Sequence, residues 1–191
     1  DLDSEDNITI SQPVQALDKL PVERAYHIAA AAGTSFYIGF GRNAGKQFQD
    51  VWKYNLLDNK WTQLTQTSLG ARWGCSAVTF GSSIFIFGGR AALTGTTSLN
   101  TLIALETQSE VFKTIEDTEE TAPSARSFHV SFVSSGNVVV GLGMDSNGHY
   151  LDDWHAFSPV LQSWKSLTVE GDEISARIGA STVQSYNETH S

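Results

Sequence analysis

One shape recurs along this chain at a nearly fixed distance, and that recurrence constrains the fold more than any single residue does. Its fullest form occupies residues 71–90, A-R-W-G-C-S-A-V-T-F-G-S-S-I-F-I-F-G-G-R. Before it stands Glu23–Arg42, E-R-A-Y-H-I-A-A-A-A-G-T-S-F-Y-I-G-F-G-R, and after it Ala125–Met144, A-R-S-F-H-V-S-F-V-S-S-G-N-V-V-V-G-L-G-M. A fourth start, A-R-I-G-A-S, lies at Ala176–Ser181. The arginines that open the copies, Arg24, Arg72, Arg126 and Arg177, are about 48, 54 and 51 residues apart, a period at which each unit is a small supersecondary structure stacked on its neighbours.

Within one period the signals are those of short strands and tight turns. Tyr26–Ala31 is a strand of small residues, Gly33-Thr34-Ser35 turns it, and Phe36–Ile38 runs back into Gly39-Phe40-Gly41. A polar loop, Arg42–Gln49, leads to Val51–Tyr54, and Leu57-Asp58-Asn59-Lys60 returns the chain into Trp61–Leu64. The second unit repeats this as Trp73–Phe80, Ile84–Phe87, Leu102–Leu105 and Val111–Ile115, and the third as Phe128–Val133, Val138–Val140, Trp154–Phe157 and Trp164–Leu167. Ile84-Phe85-Ile86-Phe87 is apolar at every position, as a strand must be when both its faces lie between neighbouring sheets. Trp61, Phe112 and Trp164 open the fourth strands, and each is expected to pack on the adjacent sheet. Ile8 and Ile10 alternate with polar residues and read as an outer strand of a preceding or closing unit.

Composition excludes several classes of function. With 12 basic and 21 acidic residues in 191, the formal charge of −9 opposes attraction to nucleic acid or anionic lipid and favours basic partners. No apolar run is long enough to span a bilayer. Cys75 is the single cysteine, so there is no intrachain disulfide and no thiolate zinc site, which favours a reducing, intracellular compartment. The sequons at Asn7 and Asn187 point the other way, and the compartment stays open.

The combined signature is an Arg-led inner strand, an apolar strand ending in paired glycines, D-V-W-x-Y at Asp50–Tyr54, and an aromatic at the start of the last strand. It resembles the kelch repeat. Residues 23–168 make three copies, the middle one carrying Gly88-Gly89 and the others the spaced forms Gly39-Phe40-Gly41 and Gly141-Leu142-Gly143. The resemblance implies an all-β fold of kelch-type β-propeller blades, each a four-stranded antiparallel meander, here an incomplete ring of about three and a half blades. The expected division is 1–23 for an outer strand and linker, 24–71, 72–125 and 126–176 for blades 1 to 3, and 177–191 for the start of a further blade. An arc that does not close would expose apolar faces and sheet edges, so a fragment of a longer chain, or completion by a partner, is expected.

Several groups invite chemical readings. His27, Cys75 and His129 share one repeat position and are all metal-ligating types, but equivalent positions lie a whole blade apart and packing is the preferred reading. Gly39–Gly45 lacks both the G-x-G-x-x-G spacing and a following helix, so it reads as a blade turn rather than a phosphate loop. Asp145-Ser146-Asn147-Gly148 starts like a calcium loop and lacks the closing ligands. The acidic run Glu116–Glu120 reads as a solvated connection, with capture of a basic partner as the alternative. No catalytic constellation emerges. The resemblance implies instead that inner-strand arginines meet acidic peptides, as in some kelch domains. The candidate partner-binding residues are therefore Arg24, Arg72, Arg126 and Arg177, with Arg42 and Arg90 opening the loops on the same face. The alternative is that each arginine only pairs within its blade. The expected function is a non-enzymatic protein-interaction scaffold with no cofactor or metal, binding a protein partner or further propeller blades. A kelch-like enzyme domain, galactose-oxidase-like or sugar-mutarotase-like, is the alternative.

Overall fold

The computed structural model describes residues 20–64, 69–117, 121–171 and 174–182, so the expected outer strand at Ile8–Ile10 lies outside the described residues. The described chain forms three four-stranded antiparallel sheets in meander order, with no helix among the described residues. Blade 1 consists of β1 (Ile28–Ala32), β2 (Ser35–Gly39), β3 (Val51–Asn55) and β4 (Lys60–Gln63). Blade 2 has β5 (Ser76–Phe80), β6 (Ser83–Phe87), β7 (Leu102–Glu106) and β8 (Val111–Ile115). Blade 3 has β9 (Val130–Ser134), β10 (Asn137–Gly141), β11 (Trp154–Ser158) and β12 (Ser163–Leu167). The three sheets stand side by side as the blades of an arc, which the described residues do not close into a ring.

Successive side chains of a strand point to opposite faces, and the sequence uses both. All five residues of β6 are buried. Its Ile84 and Ile86, with Ile103 and Leu105, face blade 1 and join Ile28, Tyr37, Phe40, Val51 and Leu64 in one core. Phe85 and Phe87, with Leu102 and Ala104, face the other way and join Val138, Val140, Phe157 and Trp164 of blade 3. Blade 2 therefore holds both neighbours, each buried aliphatic or aromatic side chain contributing roughly 1.5–3 kcal/mol. Trp164 packs at 5.3 Å from both Phe87 and Phe157. Trp61 instead meets Phe36 and Tyr54 within blade 1, on the face that turns away from blade 2.

The inner strands begin later than the hydrophobic pattern suggests, at Ile28, Ser76 and Val130 rather than Tyr26, Trp73 and Phe128. The cause is a left-handed residue just before each: Tyr26 (φ 55°), Gly74 (φ 68°) and Phe128 (φ 58°), with Gly179 (φ 68°) at the fourth copy. A strand cannot pass through this conformation, and for a bulky side chain it is an uncommon one. It turns the backbone so that one blade bonds to the next. Gly74 N donates to Tyr26 O (2.9 Å), Phe128 N to Gly74 O (2.8 Å) and Gly179 N to Phe128 O (3.2 Å). A parallel series runs from Gly41 N to Arg72 O, Gly89 N to Arg126 O and Gly143 N to Arg177 O, at 2.8, 2.9 and 2.9 Å.

Candidate functional site

Six arginines carry the expected site, and the structure separates them into groups. Arg24 and Arg126 are turned into their own blades, with side chains 2% and 0% exposed. Arg24 Nη1 donates to Asp50 Oδ1 (2.8 Å) and to Phe40 O (3.0 Å), while Nη2 reaches Asp50 Oδ2 (3.0 Å). Arg126 repeats this with Asp153 (2.8 and 2.7 Å) and Leu142 O (3.1 Å), and adds Ser124 O and Ser124 Oγ. A planar guanidinium matched to a carboxylate through two bonds is a strong and directional contact. It clips the start of the inner strand to the β2–β3 or β10–β11 connection. Burial pushes both carboxyls upward, but bonds from Arg24 and Trp52 hold Asp50 below the usual carboxylate range, and bonds from His155 and Arg126 hold Asp153 well below it.

Blade 2 departs from this pattern because Thr101 stands where the others have aspartate. Arg72, 4% exposed, donates to Thr101 Oγ1 (2.9 Å) and Leu69 O (2.6 Å), and its Nε is buried without a partner. Burial pulls the guanidinium below its usual value, since no carboxylate offsets the loss of solvent. Arg177 is exposed and bonds Ser175 O and Ser175 Oγ, both at 2.9 Å.

Arg42 and Arg90 are placed differently. Each follows the glycine pair of its blade, and the backbone bridges Ala25–Arg42 and Trp73–Arg90 set them beside the segments that lead into the inner strands. Arg42 lies over Trp73 at 4.7 Å, and Arg90 lies against both Trp73 (5.2 Å) and Phe128 (5.1 Å). Their bonds to the protein are long: Arg42 to Leu93 O at 3.4 Å, and Arg90 to Ser127 Oγ at 3.3 Å and Gly95 O at 3.4 Å. Among the described residues neither has a carboxylate partner, so both guanidinium groups keep donors for an outside acceptor.

The aromatics beneath them form a triangle that spans three blades. Tyr26, Trp73 and Phe128 have ring centroids 5.5, 5.7 and 5.4 Å apart. Gly74 makes room for it, because a Cβ there would stand 2.9 Å from the Phe128 ring. Tyr26 is 58% exposed and Trp73 is 6% exposed, so the group presents one open ring above a fixed base. Trp73 Nε1 donates to Ala92 O (2.9 Å), Gln47 to Ala91 O (2.7 Å) and Ser98 N to Ser146 Oγ (2.9 Å), which ties the three β2–β3-type loops together. The cluster was not legible as a site in the sequence, where its members look like strand residues. The signal that marks it is the alignment of Tyr26, Gly74 and Phe128 two residues after the leading arginine.

The other tempting groups have structural roles. His27, Cys75 and His129 pack against the second glycine of their blades, where a Cβ on Gly41, Gly89 or Gly143 would meet theirs at 2.8, 2.9 and 2.7 Å. Burial pushes the Cys75 thiol up to about 12 and pulls the His129 imidazole down to about 3. His129 Nε2 bonds Ser76 Oγ at 2.8 Å. Among the described residues no three His, Cys, Asp or Glu side chains gather as a metal site. Asp145 Oδ1 accepts from Asn147 N (2.8 Å) and His149 N (2.9 Å), a turn stabilised by its own side chain. Of the acidic run, Asp117 accepts from Ala122 N (2.6 Å), and residues 118–120 lie outside the described residues. No described helix is long and apolar enough to cross a membrane.

Comparison with known proteins agrees with this architecture. The model of the KLHDC2/KLHL20/DRC7 Kelch-repeats domain matches residues 2–189. The chain belongs to the kelch-repeat family. Among curated kelch proteins, human Kelch domain-containing protein 3 is 29% identical over 164 residues, covering 80% of this chain and 42% of that protein. The leucine-zipper-like transcriptional regulator 1 homolog of Drosophila melanogaster is 26% identical, covering 78% of this chain and 16% of the other. The chain thus spans less than half the length of these relatives. A solved structure titled "Structure of YjhT" superposes with a TM-score of 0.65 at 20% identity, covering 76% of this chain and 52% of that one, a likeness of fold.

Proposed function

We propose that this kelch chain is a non-enzymatic interaction module and that the face built from Arg42, Arg90, Tyr26, Trp73 and Phe128 docks an acidic segment of a protein partner. The observation that carries this reading is the pair of guanidinium groups held on aromatic rings with no carboxylate of their own. Cation–π contact holds Arg42 and Arg90 against the rings and leaves N–H groups to donate, which suits recognition of a carboxylate. Arg24 and Arg126 are neutralised within their own blades, whereas Arg42 and Arg90 bring charge without a carboxylate partner to this face. An exposed Tyr26 ring beside two cations offers apolar area next to charge, the composition of an interface centre. Of the six arginines, Arg24, Arg72 and Arg126 bond within their own blades, and Arg42 and Arg90 meet the ligand.

The test is selection of peptides from a displayed random library on the immobilised chain. Enriched peptides are expected to carry at least two Asp or Glu residues, to lose tenfold or more in affinity against the Arg42→Ala/Arg90→Ala variant, and to weaken as salt rises. Enrichment without acidic residues, or binding that the double variant retains while its circular dichroism matches the parent, refutes the assignment.

A further inference from the structure

The leading arginines of blades 1 to 3 are all buried, and two of them carry a carboxylate of their own. Asp50 takes two bonds from Arg24 and Asp153 two from Arg126, at 2.7–3.0 Å, so each charge is matched inside the protein. Arg72 is set as deeply, and Thr101 stands at the matching position. The threonine accepts from Nη1 at 2.9 Å but brings no charge. Among the described residues no carboxylate reaches this guanidinium.

The bonding of Arg72 is rearranged as well. Arg24, Arg126 and Arg177 each use Nε on a carbonyl two residues earlier, that of Val22, Ser124 or Ser175. In Arg72 the group is turned, so that Nη2 reaches Leu69 O at 2.6 Å and Nε is buried with no partner. Gly88 O is a long contact of Nη1 at 3.4 Å, and the Phe40 ring lies 5.4 Å away. A charge removed from water without an opposite charge is among the most costly groups a fold can bury. A water molecule satisfies an N–H and leaves the charge unmatched, whereas an anion does both. The Thr101 hydroxyl, which accepts from Nη1, keeps its own proton for a second acceptor. Thr101 also lines a groove of about 310 Å³ with Asn100, Thr114 and Ala122. Glu116 and Asp117 border the same groove, and their charge opposes a polyvalent anion more strongly than a singly charged one.

We infer that Arg72 and Thr101 form a site for a small monovalent anion, a halide such as chloride or a carboxylate the size of formate. The anion does for blade 2 what Asp50 and Asp153 do for blades 1 and 3. With it bound, the Nη fork faces the anion and Nε turns to the carbonyl of Leu69, the division of bonds seen at Arg24 and Arg126. The Thr101 hydroxyl supplies a further donor. The site is separate from the Arg42 and Arg90 face and does not rest on the ligand of that face.

The experiment compares the 191-residue chain with its Thr101→Asp variant, in which the negative charge is supplied internally. Melting temperatures are read as sodium chloride, and separately sodium formate, replaces sodium fluoride at constant ionic strength. General effects of each salt on exposed surface act on both proteins alike and drop out of the difference between them. The parent is expected to rise relative to the variant by about 3–6 °C at an anion concentration roughly ten times its dissociation constant. A rise in chloride alone assigns the site to halides and a rise in formate alone to carboxylates, and either supports it. Should the variant fail to fold, the parent suffices. Crystals grown in sodium bromide or in sodium formate are expected to hold the anion within hydrogen-bonding reach of Arg72 and Thr101, the bromide marked by its anomalous scattering. Equal responses of parent and variant in both salts, or crystals in which neither anion lies beside Arg72, overturn the inference.

Discussion

Replacing Asp153 by asparagine tests the joint on which blade 3 is built. The substitution keeps the shape of the side chain, removes its charge and turns an amide toward one Nη of Arg126. Arg126 is fully buried, and its two bonds to the carboxylate are 2.8 and 2.7 Å. Removing one partner of a buried pair costs about 3–5 kcal/mol because the other charge is stranded. Two features reduce that figure here: the Asp153 side chain is 43% exposed, so water screens it, and Leu142 O and Ser124 continue to hold Arg126. The expected loss is about 2–3 kcal/mol, which corresponds to a fall of roughly 4–12 °C in melting temperature for a chain of this size. Thermal unfolding followed by circular dichroism measures it.

The pH dependence supplies the sign. The folded carboxyl lies well below its unfolded value of about 3.9, so the stabilisation is fully present above that value and is lost as pH falls toward the folded one. The gap between parent and Asp153→Asn is therefore expected to be constant from about pH 7 to pH 5 and to narrow steadily below about pH 4. An unchanged melting temperature at pH 7, or a gap that does not narrow in acid, refutes the assignment of the pair as structural.

Three further outcomes follow from the same geometry. Thr101→Asp gives Arg72 the carboxylate that its counterparts have, and should raise stability by about 1–2 kcal/mol in urea denaturation; a loss would mean that the site cannot accept the added charge. Gly74→Ala sets a side chain at φ 68° and against the Phe128 ring at 2.9 Å, and should cost about 1–3 kcal/mol and disturb the aromatic near-ultraviolet signal of the triangle. Trp164→Ala empties the core between blades 2 and 3 at a residue 6% exposed and should cost about 3–5 kcal/mol, whereas Trp61→Ala, on the face that turns away from blade 2, should cost less.

The blades were legible in the sequence because a repeated unit states its pattern several times, and drift such as Trp52 to Ile103 keeps the apolar character that packing needs. The Arg–Asp joint was harder to see. Asp50 and Asp153 lie 26 and 27 residues from their arginines, and Thr101 interrupts the series in the most regular repeat. D-V-W at Asp50 and D-W-H at Asp153 held the signal, since aspartate precedes the third strand in both. The inner arginines therefore looked available to a ligand, and their burial became visible only with the β2–β3 connections in place. The aromatic triangle was hidden for another reason. Its members come from three blades and two sit at left-handed positions, so no local pattern joins them.

The account depends most on which arginines meet a ligand, and this can be observed directly. The six arginines of the chain give six Nε–Hε signals in a nitrogen-labelled sample. Titration with an acidic peptide selected on the protein is predicted to shift the signals of Arg42 and Arg90 and to leave those of Arg24, Arg126 and the exposed Arg177 in place. Shifts confined to Arg177, or spread evenly over the exposed cations while Arg42 and Arg90 stay still, would contradict it.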